Sequence, residues 1–159
     1  PVFVVMNKMS LAMQAEVPAE MYEVPIGKAA VVREGSAFSI FAMGRMVHEA
    51  LAAAKTLESL GVDCEVVDVR SIQPFDSETA VASIKKTHRA LIVHEAVRFG
   101  GFGGEIVAQL QEQAFDYLDA PIARVGAPFS PVPYSPALEK LYIPNAERIV
   151  AEVKKVLGI

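Results

Sequence analysis

The chain contains no tryptophan, a single cysteine and no excess of basic residues. One cysteine cannot close an internal disulfide or supply a cysteine cluster for zinc, and a reducing compartment is the simpler setting. Fifteen Lys and Arg stand against nineteen Asp and Glu, a formal net charge of −4. That balance offers no basic field to neutralise phosphates and argues against a nucleic-acid partner. Apolar runs such as Ala90–Val93 fall far short of a membrane span. The opening PVFVVMNKMSL lacks the ordered basic, apolar and small-residue segments of a secretory signal. It also lacks an initiator methionine, so the chain reads as a piece of something longer. Gly and Pro, ten of each, follow no repeat, which excludes a collagen-like fibre.

What is present suits one ordinary domain. With 159 residues and 52% apolar composition, the chain should bury about two-thirds of its unfolded surface. Residues 1–28 read apart from the rest. Val2–Val5 is expected as a short strand, while EVPAEMYEVPIG has extended and turn character because each proline disfavours helix before it. Met6, Met9, Met13 and Met21 are expected to fill gaps in ordinary packing.

From Ala29 onward strands and helices alternate. AAVVREG reads as an edge strand ending in a turn, and Phe38–Met43 as a second strand. Val47, Leu51, Ala54 and Leu57 make a helical stripe over 46–60, stopped at Gly61. Cys64–Val69 follows as a strand, and Asp76 is placed to cap a helix over 77–87. Ala90–Val93 is the fully apolar strand expected where helices cover both sheet faces. A helix over 105–117, a strand over 122–125 and a Pro-rich rigid loop over 128–136 come next. Asn145 caps the last helix, with Lys154 and Lys155 at its negative end. This order predicts an α/β fold, a three-layer α/β/α sandwich on a mainly parallel sheet.

Chemistry is sparse. The loop Phe99-Gly-Gly-Phe-Gly-Gly104 leads from a strand into a helix, where N–H groups could cradle phosphate. It fits neither GxGxxG nor a lysine-bearing phosphate loop. Gly101, Gly103 and Gly104 are therefore expected to serve backbone geometry. His48-Glu49 lacks the second histidine of HExxH and belongs on a helix rim, and His88-Arg89 in a solvated turn. His94-Glu95 lies where an apolar strand ends, a common place for functional groups in α/β sheets. It is read as a satisfied structural pair, with proton relay or a subunit contact as the functional option. Cys64 is expected buried and inert, and Asp63, Glu65 and Asp68 around it make no carboxylate pair. No catalytic, cofactor-binding or metal-ligating residue is assigned.

Five segments occur in one order: PIGKAAVVREG, GRMVHEALAAAKTLESLG, EVVDVRSIQPFD, HEA with GGFGGEI, and LDAPIARVGAP. Together with PVPYSPALE and IPNAERIV they resemble the carboxyl-terminal half of the E1 β subunit of thiamine-diphosphate-dependent 2-oxoacid dehydrogenases, with pyruvate dehydrogenase the strongest likeness. The resemblance implies that residues 1–28 end a pyrimidine-binding domain and its linker. Residues 29–159 then form a transketolase C-terminal-like domain. It implies thiamine diphosphate and magnesium in the complete enzyme, none expected in this fragment, and inactivity of the fragment alone. The implied partners are the E1 α subunit and the rest of β in an α2β2 assembly, and the E2 acyltransferase subunit-binding domain. Asp119 and the carboxylate of Ile159 are the residues implied for that last contact. The implied location is cytoplasmic, or the mitochondrial matrix in a eukaryote. Branched-chain 2-oxoacids or acetoin are the other substrate classes, and a stand-alone interaction module is the non-enzymatic alternative. Met6 and Phe129 stand where the family usually or often has an acidic residue.

Overall fold

A computed structural model describes residues 1–159. Strands β1 (Ala30–Arg33), β2 (Phe38–Ala42), β3 (Cys64–Asp68), β4 (Ala90–Val97) and β5 (Ala123–Ala127) form one sheet in the order β1-β3-β2-β4-β5. β1 runs antiparallel to β3 at one edge, and all other pairings are parallel. The helices are α1 (Met46–Glu58), α2 (Ser77–Thr87), α3 (Gly103–Ala114), α4 (Pro136–Tyr142) and α5 (Ala146–Leu157). α1 and α5 pack on one face, α2 and α3 on the other, giving the three-layer sandwich.

The central strands carry apolar residues on both faces, because successive side chains point to opposite sides. Ile40, Val66, Leu91 and Val93 join the core beneath α1 and α5. Phe41, Val67, Ala90 and Ile92 join the core beneath α2 and α3. This is why β2 reads FSIFA with every residue buried. Its one hydroxyl, Ser39 Oγ, lies 2.6 Å from Ser83 Oγ and 2.5 Å from Thr87 Oγ1 on α2. Beside it the buried carboxylate of Glu65 accepts from Lys86 Nζ, which also reaches Glu34 Oε2 at 2.8 Å.

Helix ends follow the expected chemistry. Asp76 Oδ1 accepts from Thr79 N at 3.2 Å, while Oδ2 accepts from Ala29 N at 3.0 Å. Burial pushes the Asp76 carboxyl up, but those hydrogen bonds and nearby Lys28 outweigh it and hold the group below the usual range. Asn145 Oδ1 accepts from Arg148 N at 3.0 Å to cap α5. Glu49 Oε2 on α1 accepts from Ala146 N at 3.0 Å, so α1 also satisfies an orphan donor of the last helix.

Several expectations change. Val2–Val5 forms no strand, since no neighbouring strand supplies the ladder that would stabilise it. Instead Lys8–Ala12 makes a 3-10 turn, with Asn7 Oδ1 accepting from Met9 N. Met6, Met9, Met13 and Met21 are not packed but 50–98% exposed, because no core residue lies over this segment. β4 runs on to Val97, and α3 starts at Gly103 and gives way to a 3-10 turn at Phe115–Tyr117. α4 appears directly after the Pro-rich loop. Its Pro136 sits in the first turn, where the missing N–H costs no hydrogen bond.

Candidate functional site

His94 and Glu95 lie where β4 loses its partner β2: the pairing ends at Ala42 with Val93. The β4–β5 register also shifts between Val93 and Val97. The strand turns the two side chains to opposite sides, and they do not form the satisfied pair read from sequence. Glu95 Oε2 accepts from Asn7 Nδ2 at 2.8 Å, tying the first segment to the sheet. His94 is 2% exposed, and neither ring nitrogen has a hydrogen-bond partner.

The glycine loop closes over that imidazole. A Cβ on Gly101 would come within 2.6 Å of His94 Cε1 and closer still to the Val97 carbonyl oxygen, and one on Gly103 within 2.5 Å of His94 Cδ2. A Cβ on Gly126 of β5 would meet Cε1 at 2.9 Å. Only Gly100 of this loop has a positive φ, 67°. Close approach, to His94 at both positions and to the Val97 carbonyl at 101, explains the glycines at 101 and 103 better than left-handed backbone. The occupant of the loop is a side chain of the chain itself, not an open phosphate cradle.

Burial lowers the His94 pKa below its ordinary value, the Arg124 guanidinium acts in the same direction, and the Ala96 backbone opposes both. The unfolded chain takes up its proton near pH 6.5 whereas the folded chain resists it. Stability is therefore expected to fall as pH drops below about 6.5, by up to about 1.4 kcal/mol per pH unit. Urea unfolding of wild type and His94→Leu across pH 5–7.5 checks this. A wild-type slope no steeper than that of His94→Leu would remove the assignment.

The other titratable candidates resolve into structure. His48 is exposed on the rim of α1, and Glu49 is held by Arg45 and the start of α5. His88 is more than a solvated turn residue. It ends α2 with φ 60°, its N–H reaches Ile84 O, and its Nδ1 lies 2.9 Å from Tyr117 O. Cys64 is buried, and burial pushes its thiol up to about 12, so it is inert as expected. Burial likewise raises the Asp68 carboxyl, against the nearby charges of Arg70 and His48.

Asp119 is exposed after the 3-10 turn, where its Oδ2 pairs with Arg89 Nη2 at 3.2 Å and its N–H donates to His88 O. Ile159 follows α5, is 63% exposed and enters no ion pair. The structure does not join the two residues by a contact. It leaves Ile159 free and gives Asp119 an internal cation that a basic partner would have to displace.

Comparison with known proteins decides the family. The family described as transketolase, C-terminal domain, matches residues 27–149. The chain belongs to that family. Among curated relatives of this transketolase C-terminal domain, the acetoin:2,6-dichlorophenolindophenol oxidoreductase subunit beta of Bacillus subtilis (strain 168) is 42% identical over 158 residues, 99% of this chain and 46% of the relative. The pyruvate dehydrogenase E1 component subunit beta of the same organism is 42% identical over 156 residues, 98% of this chain and 48% of the relative. A solved split-gene transketolase, an inactive beta4 tetramer, superposes with a TM-score of 0.76 at 32% identity, covering 92% of this chain and 46% of the other. The chain thus spans about half the length of the curated relatives it matches.

Thiamine diphosphate and magnesium would need a cluster of metal-ligating side chains and an open phosphate cradle. No three His, Cys, Asp or Glu side chains converge to hold a metal ion. The one glycine-rich strand-to-helix loop is filled by His94. The residues present do not fit that pair of ligands. No helix is long and apolar enough to cross a membrane.

Proposed function

We propose that this transketolase C-terminal domain is the carboxyl-terminal part of an E1 β subunit in a thiamine-diphosphate-dependent 2-oxoacid dehydrogenase. The observation that carries the reading is alignment of nearly the whole chain, at 42% identity, with the Bacillus subtilis E1 β subunit. Its work in the complete enzyme is assembly and partner binding, in support of oxidative decarboxylation of a 2-oxoacid and acyl transfer to a lipoyl group. Pyruvate is the proposed substrate. Acetoin is the specific alternative, because the acetoin relative matches at the same identity over two more residues.

In this reading residues 1–28 end the preceding pyrimidine-binding domain and its linker. Phe3, Val5 and Met21, each at least 90% exposed, are then covered by the rest of the β chain and by the α subunit of an α2β2 assembly. Thiamine diphosphate and magnesium are held elsewhere in that assembly. Asp119 and the carboxylate of Ile159 receive the basic subunit-binding domain of the E2 acyltransferase, in a cytoplasmic complex.

The test is to co-express the full-length β chain with its α subunit and measure dye reduction with pyruvate and with acetoin. The expected result is a heterotetramer active on pyruvate. A β chain that stays apart from α, or a complex inert toward both substrates, would overturn the reading. In the active complex, Asp119→Ala and C-terminal amidation are each expected to weaken E2 binding and reduce its salt dependence. Unchanged affinity in both would remove the E2 contact while leaving the enzyme reading intact.

A further inference from the structure

The chain is acidic overall, yet three arginines line one cleft with no carboxylate among its lining residues. Arg98 leaves the end of β4, Arg124 lies in β5, and Arg148 in the first turn of α5. The cleft holds about 440 Å³ and is completed by Phe99, Gly126, Ala127, Pro128 and Phe129. None of the three guanidiniums enters an ion pair, although every other arginine does. Glu152 lines an adjoining cleft that shares the same three arginines, but its carboxylate pairs with Lys155 at 3.4 Å and with none of them.

Most donors of these side chains are unused. A guanidinium carries five N–H groups. Arg124 spends one on Arg98 O at 3.3 Å, and Arg148 spends two, on Tyr142 O and Gly126 O at 3.3 and 3.0 Å. The Arg98 side chain makes no hydrogen bond. The carbonyl contacts fix Arg124 and Arg148 without neutralising them, so the cations are held together against mutual repulsion. Behind the Gly126 wall lies the His94 ring, buried with both nitrogens unpartnered. It brings no compensating negative charge.

The same cleft carries exposed apolar groups. Phe99 and Phe129 are 72% and 74% exposed, with ring centroids 4.9 Å apart and planes tilted by 59°. A cleft lined by both guanidiniums and exposed aromatic rings suits a ligand with a compact anion and a flat apolar body. A monoester phosphate carries a charge of about −1.5 to −2 at neutral pH and three acceptor oxygens. It matches three unpaired cations better than a single carboxylate, because it brings more negative charge and a third acceptor oxygen for forked guanidinium pairs.

We propose that this cleft binds a small phosphate monoester, its phosphoryl group on Arg98, Arg124 and Arg148 and its flat apolar body against Phe99 and Phe129. The reading does not depend on the substrate of the complete enzyme.

Calorimetric titration of the full-length, assembled protein with phenyl phosphate and with inorganic phosphate tests it. Phenyl phosphate is expected to bind saturably, more tightly than phosphate, and more weakly as salt rises. Arg98→Gln is expected to weaken both ligands by about tenfold, the effect of losing one hydrogen bond to a charged group. Phe129→Ala is expected to weaken phenyl phosphate alone. Arg98 makes no side-chain hydrogen bond, so its variant keeps the fold even if Arg124→Gln does not. No saturable binding of phenyl phosphate up to about 10 mM, or affinity unchanged by Arg98→Gln, would overturn the site. Equal affinity for the two ligands, unaffected by Phe129→Ala, would overturn the apolar part of the assignment.

Discussion

Gly103→Ala is expected to destabilise the domain by about 1–3 kcal/mol, the range for forcing an extra carbon into a filled core. The new methyl would lie 2.5 Å from the His94 ring, with Ile92 Cγ2 at 3.3 Å on its other side. His94 cannot swing away, because Gly101 and Gly126 close on the same ring. The second half of the expectation is relief. In a His94→Ala background the same substitution should cost much less, leaving a coupling energy of about 1 kcal/mol or more between the two sites. Urea unfolding of the four proteins measures it. A Gly103→Ala protein as stable as wild type, or strictly additive effects, would return the loop to a conformational or ligand-binding explanation.

The second large effect concerns Lys86. Its ammonium is the cation beside the Glu65 carboxylate, whose side chain is 1% exposed. Lys86→Met is expected to cost about 3 kcal/mol, the low end for stripping a buried charge of its partner. The low end applies because Lys86 is itself 42% exposed and water can enter where its amine lay. Adding Glu65→Gln should recover a good part of the loss by removing the stranded charge. Hydrogen bonds to Glu34 and Glu65 raise the Lys86 pKa above its ordinary value. Lys86's own part in the pair is therefore complete below the free lysine value, near pH 10.4, and fades only as pH rises through the higher folded one. Thermal and denaturant unfolding at neutral pH are the measurements. A single variant within about 0.5 kcal/mol of wild type would show that Glu65 finds water or another donor.

These two sites also mark the limit of reading the chain as a string. The alternation from Phe38 to Val125 is legible because uninterrupted apolar runs in buried strands and the helical stripe of α1 leave local signatures. Asp76 and Asn145 were legible as caps because a cap acts within three residues. Glu65 and Lys86 meet only when α2 folds onto β3, so Glu65 looked like one more acid near Cys64. The three arginines of the cleft come from β4, β5 and α5, and no local motif announces them. His94-Glu95 stands out in the sequence by its place at a strand end. A neighbouring pair in sequence, however, becomes an opposed pair in a strand, and that reversal decided its chemistry. Val2–Val5 has the composition of a strand without a neighbour to pair with, while α4 was hidden by prolines that break a helix inside but not at its start.

The packing of α5 on α1 gives the two faces of the sheet different schedules during synthesis. The face under α2 and α3 draws its core from residues up to Ala114, with Leu118 and Ile122 at its margin. It can close while the carboxyl-terminal residues are still inside the ribosome. The opposite face waits for Ile149 and Val153 to reach α1, and for Ala146 N to meet Glu49. Until then Val47, Ala50 and Leu57 have sheet beneath them but nothing beside them, a half-covered apolar surface of the kind chaperones hold. A ribosome stalled with β5 already outside its exit tunnel and α5 still within it should therefore present a nascent chain protected from proteolysis on one side of its sheet and open on the other.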